Sequence, residues 1–104
     1  MPSGCVEKVG ALSIKVAKTI KLALNTRDKA FKETLYAKAA KYNDRLGELT
    51  KTLLGTGLDE SVVLCFMITT CTNALKEHVG EDIAAGAQAT IELRAHRFIQ
   101  TAKK

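Results

Sequence analysis

Phe31, Leu35, Ala39, Tyr42, Leu46, Leu49 and Leu53 follow one another at steps of four, four, three, four, three and four residues. A helix turns once in about 3.6 residues, so such steps stack side chains along one face, whereas a half-buried strand needs steps of two. The seam is about 33 Å long at 1.5 Å per residue. Nothing in the chain breaks it through a missing N–H, because the single proline is Pro2. Gly47 lies inside it, which costs about 1 kcal/mol relative to alanine but permits close approach by a neighbouring element.

Three further segments carry the same signal. Val9, Leu12, Val16, Ile20 and Ala23 step by three and four, with Ser3 as the expected cap and Asn25 and Thr26 as the break that caps the next helix. The third segment opens at Thr56 and Asp59, which have capping-box spacing, after Gly55 and Gly57 stop the second. It then runs Val62 to Ile68, apolar on every side, and is expected to be the most buried helix. The fourth runs from Glu81 to about Ala102 with Ala84, Ala87, Ile91, Ala95, Phe98 and Ala102 on one face. Its acidic start and basic end suit the helix dipole. Gly80 is the only punctuation between the last two segments, so they are either separate or one helix of about 40 residues; the merged form favours a dimer.

With 104 residues, no tryptophan and 5% aromatic residues, the chain is expected to form one domain, 1–104, with an aliphatic, alanine-rich core. The expected fold is all-α, an antiparallel four-helix bundle, with a homodimer through the second-segment seam as its assembly. The most apolar run has seven residues, too few to span a bilayer. No secretory signal is expected, because no charged region followed by an unbroken apolar stretch stands at the start. Cys65 and Cys71 are about 240° apart on a helical wheel and cannot bridge within an intact helix. They read as buried thiols, Cys5 as exposed, and the compartment as reducing and cytoplasmic.

Charge is unevenly spread. Residues 1–55 hold 11 bases and 5 acids, residues 56–92 one base and 6 acids, and residues 93–104 four bases and no acid, within a net charge of +5. On a wheel for the second segment Arg27, Lys38, Lys41 and Arg45 fall within about 60° of one another beside the seam, a row of roughly 27 Å. Lys8, Lys15, Lys18 and Lys21 share one side of the first segment, together with Ile14 and Leu22. Arg94, Arg97, Lys103 and Lys104 are candidates to extend these stripes. Tyr36 points toward Lys29 and Lys32, where an exposed ring can stack on a base or anchor a partner.

No constellation points to catalysis. His78 has Glu77 beside it and Asp82 one turn on, and both repel a phosphoryl group. Arg94 and His96 are too close in sequence for the separated Arg/His pair of helical ribonucleases. No two Cys or His residues have the i, i+4 spacing of a helical metal site, and no CxxC occurs. No catalytic residue, metal or cofactor is expected. The expected function is therefore non-enzymatic: a small helical binding or regulatory protein whose Lys15, Lys18, Arg27, Lys38, Lys41 and Arg45 meet an acidic protein surface. The alternative is sequence-independent nucleic-acid binding through the same residues. Duplex RNA is its first form, by fold-level analogy with all-helical viral suppressors of RNA silencing, and lysine rows would hold phosphates without reading bases. The stripes also suit an anionic membrane surface.

Overall fold

The computed structural model describes residues 3–103 and contains four helices: α1 (Ser3–Leu24), α2 (Lys29–Gly55), α3 (Glu60–Val79) and α4 (Glu81–Ala102). The expected cap role of the Ser3 side chain lies outside what is described, as does Lys104. The fold is the all-α four-helix bundle that the periodicity implies. No helix among the described residues is long and apolar enough to cross a membrane.

Consecutive helices run antiparallel, but the packing order around the bundle does not follow the chain. α1 packs on α2 and α3, and α4 packs on α3 and α2, while α2 and α3 meet only slightly. Ser13 on α1 meets Cys71 on α3, and Lys21 near the end of α1 shares a pocket with His78 near the end of α3, so these two neighbours run parallel. α2 and α4 are the second parallel pair: Asn43 meets Arg94, and four residues on in both helices Gly47 meets Phe98. A Cβ on Gly47 would stand 3.2 Å from Phe98 Cδ1, so the glycine inside the seam is what lets the ring of α4 lie against α2.

The core draws on all four helices. Val9, Leu12, Val16, Leu46, Leu53, Val63, Met67 and Ala95 form one buried cluster, and Ala17, Ala74, Leu75, Ala84 and Ile91 form a second toward the end where α1 and α3 finish. The seam residues Leu35, Ala39, Leu46 and Leu53 are buried inside the chain. The seam is therefore taken up by the chain's own core rather than left open for a second copy, with Tyr42 and Leu49 half-buried and Phe31, its first member, exposed. The expected rank of α3 also changes. α1 is the helix with most buried positions, whereas α3 leaves Val62 and Cys65 in solvent. A segment apolar on every side gives no face from which to read orientation.

The turns differ from the expected ones by a few residues. Asp28, not Asn25 or Thr26, caps α2, its carboxylate accepting from the backbone N–H groups of Ala30 and Phe31. Thr26 instead donates its hydroxyl to Leu22 O and finishes α1. Thr56 likewise donates to Leu53 O and ends α2, while Asp59 is itself the cap of α3. Hydrogen bonds from the Ser61 hydroxyl and N–H hold the Asp59 carboxyl below its ordinary range.

Gly80 resolves the ambiguity over one helix or two. Its backbone, φ 93° and ψ 162°, lies where only glycine sits without strain. The chain thus reverses over a single residue and α4 folds back on α3, so the continuous helix does not form. Gly80→Ala is expected to cost about 1–3 kcal/mol, because a Cβ penalises this conformation, and to shift the chain toward the unbroken helix. Chemical denaturation with size-exclusion chromatography tests this: a lower midpoint and a larger species are expected, and an unchanged midpoint would contradict the assigned turn.

Candidate binding face

α1 and α2 lie side by side with Lys15 Nζ 5.8 Å from the centroid of the Tyr42 ring, within cation–π range. Alongside this contact runs a groove of about 380 Å³ lined by Lys8, Ala11, Leu12, Lys15, Arg45, Glu48 and Leu49. Its floor is apolar because Leu12 and Leu49 are the edges of the two core faces. Its walls are charged because the next residues around each helix are Lys8, Lys15 and Arg45. Of the residues expected to meet a partner, Lys15 and Arg45 line this groove. Lys8, one heptad before Lys15, joins them on the same helix face.

The other expected residues divide. Lys38 and Lys41 continue the exposed side of α2, and Lys18 lies on the outer side of α1; none of the three lines the groove. Arg27 leaves the stripe altogether. It precedes the Asp28 cap and so sits in the α1–α2 turn, because the helix begins later than the wheel assumed. The helical row shortens to Lys38–Arg45, about 10 Å along the axis. Ile14 also departs from the lysine side: it lines a separate groove against Thr70, Asn73, Ala74 and Glu77 of α3.

The expected extension by α4 is largely redirected. Arg94 turns inward and donates from Nη1 to Asn43 Oδ1 at 3.4 Å. Arg97 lines a groove between α2 and α4 with Asp44, Glu48 and Lys51. Lys103 Nζ lies 2.9 Å from Glu60 Oε1, the one ion pair among the described residues. It follows that Lys8, Lys15, Lys18, Lys38, Lys41 and Arg45 have no carboxylate partner there, although Glu48 stands in the same groove as three of them.

The thiols are arranged differently from the expectation. Cys65 is exposed and Cys5 is half-buried against the core. Cys71 faces the interior, where Ser13, Asn43 and Arg94 bring one polar group from each remaining helix around it. Burial pushes its thiol above the ordinary value, against the smaller opposing effects of the Ser13 hydroxyl and the Arg94 charge. A thiol kept neutral and shielded reacts slowly. Labelling of the folded protein with iodoacetamide is therefore expected to modify Cys65 first and Cys71 only after unfolding; equal rates would contradict this placement.

His78 lines a pocket with Lys21, Leu24, Asn25, Val79 and Ile83, and His96 is exposed on α4. Among the described residues no three His, Cys, Asp or Glu side chains gather closely enough to hold a metal ion. No protein-family model, curated protein or solved structure matches the chain.

Proposed function

We propose that this protein works by binding, without chemistry of its own, and that the α1–α2 groove receives an amphipathic helix from an acidic partner protein. The observation that carries this reading is the pairing of an apolar floor, Ala11, Leu12 and Leu49, with walls in which Lys8, Lys15 and Arg45 outnumber Glu48 and none of the three forms an ion pair among the described residues. A helix in such a groove buries its apolar stripe on the floor and sets its acids against the walls. Charges left unmatched within the chain steer association and select partners of opposite sign. Lys18, Lys38 and Lys41 extend the attraction beyond the groove. The three unbridged cysteines accord with a reducing, cytoplasmic setting.

Duplex RNA is the second reading, favoured by the exposed cations that lie outside the groove. The shortened row on α2 and the apolar floor weigh against it, since a phosphate backbone has no use for either Leu12 or Leu49. Fluorescence anisotropy separates the two. A labelled amphipathic peptide with glutamates on its polar face is expected to bind at moderate salt, and a peptide with lysines in their place is not. If duplex RNA binds instead, with a log–log salt slope that falls by about one unit for each cation removed, the protein-partner reading fails.

A further inference from the structure

The α1–α2 groove is not the same at its two ends. The two helices run antiparallel, and Lys15 of α1 meets the ring of Tyr42 on α2. Counting outward from that contact sets Leu12 level with Arg45, and Lys8 level with Glu48 and Leu49, about 10 Å further along the axis. All five of these residues line the groove, as Lys15 does. Lys15 therefore stands at one end and Arg45 in the middle, while at the other end Lys8 shares the groove with Glu48. Glu48 also borders the α2–α4 groove with Asp44, Lys51 and Arg97, and it forms no ion pair among the described residues.

The surroundings sharpen the difference. Toward the α1–α2 turn, α1 carries no acid after Glu7, and α2 carries none from residue 34 to residue 43. Exposed Lys18, Lys38 and Lys41 lie along that stretch. At the Lys8 end, exposed Glu7 and Glu48 offset Lys8 and Lys51. The field along the groove thus rises from near balance at Lys8 to uncompensated positive charge at Lys15. A helix lying in it brings a dipole of its own, equivalent to about half a positive charge at its N-terminus and half a negative charge at its C-terminus.

We infer that the groove accepts its helix in one direction: parallel to α1, with the C-terminal end beside Lys15 and Tyr42 and the N-terminal end beside Lys8 and Glu48. The partner is accordingly a helix whose acids are concentrated in its C-terminal half. This rests on the reading of the groove as a helix-binding site and adds the direction and the acid placement. Both the dipole and the acids of such a helix then face the unmatched lysines. Glu48 sets the preference by repulsion. A helix laid the other way, or one with acids in its N-terminal half, brings carboxylates against Glu48, and specificity of this kind needs an element that disfavours the wrong arrangement.

Two amphipathic peptides of identical composition and blocked ends test it by fluorescence anisotropy. One carries glutamates on the polar face of its C-terminal half and glutamines in its N-terminal half; the other has them exchanged. The first is expected to bind at least about tenfold more tightly. Acids near the N-terminus favour the free helix, so this preference runs against the peptides' own helicity and has to come from the protein. Glu48→Gln is expected to narrow the gap about threefold by strengthening binding of the second peptide, with the helical circular dichroism unchanged. A nitroxide at the C-terminus of the first peptide is expected to broaden the amide signals of Lys15 and Tyr42 more than those of Lys8 and Leu49. Equal affinities, a preference for the second peptide, a Glu48→Gln effect that is the same for both, or broadening centred on Lys8 would overturn the assigned direction and leave the groove as a helix site. Binding of neither peptide would overturn both.

Discussion

Leu46→Ala is expected to lower the unfolding free energy by about 2–5 kcal/mol, the range for truncating a leucine in a packed core. Leu46 is 1% exposed and belongs to the cluster in which all four helices meet. Neighbours from four directions cannot all collapse into the space left behind, which places the effect toward the upper part of that range. For a chain of this size the melting temperature should fall by more than about 10 °C, at roughly 4–8 °C per kcal/mol. Leu93→Ala on α4 is the matching control. Its side chain lies mostly in solvent, and its loss should stay within about 0.5 kcal/mol. Thermal and urea denaturation measure both; similar losses for the two variants would mean that the seam of α2 does not face the interior.

The second large effect is on binding. Lys8→Glu, Lys15→Glu and Arg45→Glu together convert the cationic walls of the α1–α2 groove to acidic ones. Each reversal removes an attraction and adds a repulsion, and like charges set against each other cost several kcal/mol. Affinity for an acidic amphipathic helix is therefore expected to fall at least about a hundredfold. The fold should be spared, since none of the three pairs with a carboxylate among the described residues. Circular dichroism and anisotropy on the same samples separate lost binding from lost structure. Undiminished affinity in a folded triple variant would remove the groove from the account.

Much of the fold is legible in the sequence because burial in a bundle follows helical periodicity. Val9, Leu12, Val16 and Ala23 on α1, Leu35, Ala39, Leu46 and Leu53 on α2, and Ala84, Ile91 and Ala95 on α4 are all buried where the steps of three and four place them. The α3 segment resists the same treatment, since Val62, Val63, Leu64 and Cys65 offer every side equally and only the neighbours decide that Val63 turns inward. Nor does periodicity contain the order of helices around the bundle. Which face of α1 meets α3 depends on how small residues such as Ala17 and Ala74 let backbones approach, a property of pairs of helices.

The candidate groove is only partly legible, for local reasons. A helical wheel assigns Arg27 to α2 because it assumes a starting residue, and the Asp28 cap moves that start beyond it. Arg94 reads as a surface charge, and nothing in its spacing shows that Asn43 offers an acceptor across the parallel α2–α4 contact. Lys15 and Arg45 reach the groove because both lie one step from the apolar faces of their helices, the position that becomes a groove wall when two helices pack. The Gly80 turn is legible only as one of two alternatives, because a single glycine between two helical segments is compatible with continuation, and it is its positive φ that ends α3.

Backbone amide shifts recorded while an acidic amphipathic peptide is titrated into the protein test the central assignment most directly. The shifts are expected to concentrate at Lys8, Ala11, Leu12, Lys15, Arg45 and Leu49, to saturate, and to shrink as salt is added. A spectrum that stays unmoved through the titration, or moves instead at the outer surfaces of α3 and α4, would contradict it.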